Sequence, residues 1–136
     1  MIRLLFSSKP WIRITLSVLY LIIIVLLSLL PSSDLPDVPL FSGEDKWIHF
    51  CMYAGLGFLT CWSLDTKGKH MPPLFLLLTG VFLWGVLMEV LQRLMANGRS
   101  MDVLDMLANL AGAVAGLIMY KYMNRRWAVE RVKSEE

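Results

Sequence analysis

Four apolar segments, each about twenty residues long, follow one another through this 136-residue chain. A helix rises about 1.5 Å per residue, so about 20 residues cross a hydrocarbon core roughly 30 Å thick. The segments run from about Trp11 to Leu30, Trp47 to Leu64, Pro73 to Met95 and Val103 to Met123. Only 18% of the residues are charged and 57% are hydrophobic, with a mean hydropathy of +0.59. A typical soluble domain carries about 25% charged residues. The expected fold is therefore all-α: a polytopic four-helix transmembrane bundle forming a single domain over residues 1–136. The first segment follows Arg3, Lys9 and Arg13 as a secretory signal would, but it is long and lacks an A-x-A-like cleavage site, so it reads as an uncleaved span.

Basic residues orient the bundle. With both termini cytoplasmic, Arg3, Lys9, Arg13, Lys67, Lys69, Lys121, Arg125, Arg126, Arg131 and Lys133 lie inside, and only Lys46, Arg93 and Arg99 lie outside. Lys and Arg in short loops set topology, so this asymmetry predicts a multi-pass inner-membrane protein with cytoplasmic termini. Trp11, Trp47, Trp62 and Tyr122 fall near the expected interfaces and read as anchors. Cys51 and Cys61, ten residues apart on one helix, are too far apart for a mutual disulfide.

Three polar clusters interrupt this apolar background: Asp45-Lys46-(x)2-His49, Glu89-(x)2-Gln92 and Arg99-(x)2-Asp102-(x)2-Asp105-(x)3-Asn109. In the orientation above, all three lie at the outer ends of spans. Ionisable groups in the hydrocarbon cost roughly 2.5–3.5 kcal/mol each on insertion scales, so a convergent set must be paired, hydrated or used. At about 100° per residue, Asp102, Asp105, Asn109, Gly112 and Gly116 share one face of the fourth helix. Gly85, Glu89 and Gln92 share a face of the third, and Asp45, Lys46, His49 and Tyr53 a face of the second. Three polar stripes can thus meet. Gly112-(x)3-Gly116, flanked by alanines, suits close helix packing, within the chain or in a homodimer.

Several of these residues also have structural readings. Ser42-(x)2-Asp45 matches a capping box, and Asp102 could complement the helix dipole behind a Ser100 cap. Asp105 lies a turn too deep for capping, and Glu89 sits in the half of its helix where an anion is disfavoured, so both point to function or to a buried ion pair. His49 could donate a hydrogen bond, accept a proton or ligate a metal. No His-(x)3-His or paired-Cys spacing supports a metal, however, and neither a metal nor another cofactor is expected.

The ordered set Asp45-Lys46-(x)2-His49-Phe50-(x)2-Tyr53, Glu89-(x)2-Gln92, Arg99-(x)2-Asp102-(x)2-Asp105-(x)3-Asn109-(x)2-Gly112 resembles the signature of the VanZ-like family of small bacterial membrane proteins. The resemblance covers about Leu30 to Gly116. It implies cell-envelope biology, since the family is named for a member associated with low-level teicoplanin resistance, but it supplies no reaction. The positions it carries over are those that depth and phase select.

Two main functions follow as expectations. One is a protein that binds or modulates an amphiphilic envelope ligand, a lipid-linked wall intermediate or a lipoglycopeptide such as teicoplanin, through Asp45, Lys46, Tyr53, Gln92, Arg99 and Asn109. Lys46 and Arg99 would pair with phosphate there. The other is a membrane enzyme, a hydrolase or transferase, with His49, Glu89, Asp102 and Asp105 as acid–base candidates. A proton-coupled transporter is a lesser alternative, because no polar path continues inward. Membrane lipid is the expected partner in every case, and nucleic acid is not.

Overall fold

Breakers in the sequence delimit the helices of the computed structural model, which describes residues 6–30, 43–65, 73–95 and 102–133. Helix α1 spans Pro10–Leu29, with the proline in the first turn, where its missing N–H costs nothing. Helix α2 spans Glu44–Leu64 and starts after Gly43, whose φ of 85° lies in the left-handed region open to glycine. Helix α3, Leu74–Leu94, starts after Pro73. Helix α4, Val103–Lys133, starts after Asp102. All four are long and apolar enough to cross a membrane, and the described residues contain no strand.

The expected spans hold to within three residues, except at the end of α4. That helix continues ten residues beyond Met123 because no glycine or proline follows Gly116 to stop it. Its 31 residues extend about 46 Å, well over a ~30 Å hydrocarbon core, and its last turns carry Arg125, Arg126 and Arg131.

Helices α2 and α4 share the most extensive contact in the bundle. Their backbones meet at small residues. A methyl group on Gly116 would collide with the carbonyl of Ala54, and one on Gly112 with the carbonyl of Phe50. On the other side of the seam, a Cβ at Gly57 would lie 3.0 Å from Cα of Ala113. The Gly112/Gly116 face, open in the sequence to a neighbouring helix or a second copy, is thus covered by α2 of the same chain.

Beside the seam, Ile24, Tyr53, Leu56, Val81 and Ala113 form one buried cluster, and Phe6, Phe58, Cys61, Trp62, Leu77, Leu117 and Tyr120 form another. Helix α1 is the least enclosed: it buries only Arg13, Ile24 and Ser28, and its Leu19, Ile23 and Leu26 face outward as lipid-facing residues do. Trp11, Trp47 and Tyr122 are exposed, as anchors should be. Trp62 is not an anchor. It is buried in the cluster with Phe6, Phe58, Cys61, Leu77, Leu117 and Tyr120, and the guanidinium of Arg13 lies over its ring, 5.6 Å from the centroid.

Candidate functional site

Helices α2 and α4 run parallel along their seam, which sets their first turns side by side, and the end of α3 closes over them. Lys46 lies between carboxylates: it donates to Asp45, its Nζ is 2.9 Å from Oδ2 of Asp102, and it is 3.4 Å from Oδ1 of Asp105. Asp45 therefore serves as an ion-pair partner. The capping-box expectation for it fails, since Gly43 is the N-cap residue and α2 has no side-chain cap. Asp102 does cap: the Leu104 amide donates to its Oδ1 at 2.8 Å. The Lys46 hydrogen bond and then that amide hold the Asp102 carboxyl below its ordinary pKa.

One turn deeper, His49 and Asn109 meet across the seam at 3.0 Å between Nδ1 and Oδ1. With the carboxamide oxygen as acceptor, Nδ1 carries the proton and Nε2 presents its lone pair. That Nε2 faces Oδ2 of Asp105 at 3.7 Å, too long for a hydrogen bond. Glu89 of α3 completes the group, 1% exposed, with the Asp102 backbone amide donating to its carboxyl. Gly85, one turn back along α3, leaves room for its neighbours. A Cβ there would lie 3.2 Å from Nδ2 of Asn109 and 3.4 Å from Oη of Tyr53.

The polar demands of this pocket are not met from within the described residues. Oη of Tyr53, Oε2 of Glu89, Oδ1 of Asp105 and Nδ2 of Asn109 are buried without a hydrogen-bond partner. Nε1 of Trp84, next to Gly85 in the sequence, is a fifth such atom. Orphaned buried polar atoms are rare enough that four in one pocket mark it out.

Not every candidate joins this pocket. Gln92 is buried, but its carboxamide donates to the Ser28 carbonyl at 2.7 Å, tying α3 to α1. Arg99 lies outside the described residues, as does Ser100.

The opposite end of the bundle holds a second polar group that the sequence did not single out. Arg13, 4% exposed, donates to the carbonyls of Phe6 at 2.5 Å, Asp65 at 2.8 Å and Trp62 at 3.4 Å, and to Oγ of Ser8 at 3.2 Å. The Tyr120 hydroxyl donates to the Asp65 carboxylate. A charge one turn inside an apolar helix was the available signal; the basic-residue tally absorbed it. A cavity of about 380 Å³ opens here beside Arg13, Asp65 and Trp127.

A family model, VanZ/LLP1, matches residues 17–124 and so takes in every element of the pocket. The chain belongs to the VanZ/LLP1 family. Neither the curated proteins nor the solved structures gave a match. Membership bears out the resemblance carried by the polar signature and links this multi-pass membrane protein to the cell envelope or antibiotic resistance. The VanZ/LLP1 match names no ligand and no reaction.

Proposed function

We propose that the pocket of this VanZ/LLP1 protein is the acid–base centre of a membrane-embedded enzyme that acts on an envelope lipid or lipid-linked substrate. One observation carries the reading. His49 is fixed through Nδ1 by Asn109, which leaves Nε2 free to take a proton, with Asp105 placed to stabilise the resulting imidazolium. Glu89, buried and half-satisfied, is the second titratable group for the return of a proton. The reaction class is hydrolysis or group transfer. The basic-residue asymmetry supports cytoplasmic termini in an inner membrane and a pocket in the outer leaflet, where a lipid-borne substrate reaches it between helices.

The alternative is binding without turnover. The unpartnered Oη of Tyr53 and Nδ2 of Asn109 favour it, because they offer hydrogen bonds to a docked ligand. Phosphate capture by Lys46 gains no support, since three carboxylates already surround that ammonium. The deciding experiment compares lipid-linked envelope intermediates by mass spectrometry in cells lacking the protein, carrying it, or carrying Asp105→Asn at matched abundance. A modified lipid that depends on intact Asp105 supports the enzyme. Identical pools beside an Asp105-dependent phenotype support binding alone.

A further inference from the structure

We infer that His49, Glu89 and Asp105 bind a divalent first-row metal ion. The inference rests on the pocket described above and deepens the enzymatic reading: with an ion bound, His49 and Glu89 would serve as its ligands, and the proton-transfer role assigned to them would pass to a water activated by the ion. The three side chains come from three helices, and each offers one donor atom within 4.8 Å of the other two. Two ligands of one ion stand about 3–3.5 Å apart when each bond is about 2.0–2.2 Å. The 3.7 Å between Nε2 of His49 and Oδ2 of Asp105 is long for a hydrogen bond but near this spacing, so closure of the set needs side-chain shifts of about an ångström.

Charge distinguishes this group from its neighbour. Asp45, Asp102 and Asp105 form a second cluster of ligand-like atoms, but that cluster already surrounds a cation, the ammonium of Lys46. The His49, Glu89 and Asp105 group shares Asp105 and contains no cation of its own. Oε2 of Glu89, 1% exposed, has no lysine, arginine or hydrogen-bond donor among the described residues. A buried carboxylate in that state calls for a positive charge.

The surroundings suit ligation as well. A metal-bound histidine donates its other ring N–H to an oxygen that fixes the ring, and Oδ1 of Asn109 occupies that position. Lys46 steadies the far oxygen of Asp105, and the Asp102 amide steadies the Glu89 carboxyl. One imidazole and two carboxylates suit Zn²⁺ or Mn²⁺ better than a soft or purely oxygen-bound ion. Three protein ligands would leave a coordination position for water or substrate, and the unpartnered atoms of Tyr53 and Asn109 belong to the same pocket.

The test uses the full chain, purified in detergent, stripped with a chelator and titrated with Zn²⁺ and with Mn²⁺ by calorimetry, with elemental analysis for stoichiometry. One ion per chain is expected. Glu89→Gln and His49→Ala should weaken it at least 100-fold, Asn109→Ala 10- to 100-fold, and the exposed Arg125→Gln not at all. A wild-type protein that retains neither ion overturns the proposal outright, whatever the variants do. So does a folded Glu89→Gln protein that binds as wild type. Stoichiometric binding with unchanged lipid pools keeps the metal site and removes the enzyme; lipid turnover by chelator-stripped protein does the reverse.

Discussion

Both ends of the bundle bury polar groups, but they treat them in opposite ways. At the end that carries Phe6 and Trp127, Arg13 makes hydrogen bonds to three carbonyls and a hydroxyl, and Tyr120 closes on Asp65. At the other end, Tyr53, Glu89 and Asn109 each keep a buried atom without a hydrogen-bond partner among the described residues, and Oδ1 of Asp105 has only the Lys46 ammonium, at 3.4 Å. A network that satisfies itself fixes the fold. One that does not leaves hydrogen-bonding capacity that a water, an ion or a ligand can take up.

The largest effect should come from the unsatisfied end. His49→Ala is expected to cut turnover of the lipid substrate by about 10²- to 10⁴-fold, the usual contribution of a positioned acid–base group, while unfolding stability changes little. Comparable losses of stability and activity would make the two ends alike. Arg13→Ala is the converse: about 3 kcal/mol of stability lost in detergent unfolding, as buried charged hydrogen bonds disappear, with activity per folded molecule retained. A stable Arg13→Ala protein would refute the structural role assigned to that end.

A third test acts on the seam that joins the ends. Gly116→Ala drives a methyl group into the Ala54 carbonyl and should cost about 1–3 kcal/mol, while Gly80→Ala, with open space around its Cβ position, should be near neutral. Equal behaviour of the two variants would argue against the close approach of α2 and α4. The smallest effect is at Asp102, on the rim of the pocket. Lys46 lowers its folded-state pKa below 3.8, so its contribution is complete above that value and is lost as pH falls through the lowered one. Asp102→Asn should therefore remove that small contribution at neutral pH, leave stability below the lowered pKa nearly unchanged, and so flatten the acid limb of the stability–pH curve.

The spans and the three polar faces were legible because each depends on local periodicity within a helix. The meeting of His49 with Asp105 was legible only as a shared depth and direction; their separation is set by the glycine seam, which no single helix encodes. The same limit hid the proposed ligand set, since His49, Asp105 and Glu89 lie on α2, α4 and α3 and no short spacing announces them. Gln92 had the depth and phase of its Glu89 neighbour, yet a carbonyl on α1 satisfies it instead. Trp62 looked like an interface residue by position, and packing into the cluster around Phe58 and Tyr120, with Arg13 over its ring, overrode that.

The glycine seam also has a mechanical consequence. Pressed backbone to backbone, α2 and α4 act as one beam, and the beam carries both His49 and Asp105. Glu89 rides on α3, which meets the beam less extensively and is fastened to α1 through Gln92 and Ser28. The pocket is therefore a vise with one fixed jaw and one sliding jaw. A force that parted α3 from the beam would act on Glu89 before it altered the His49–Asp105 spacing.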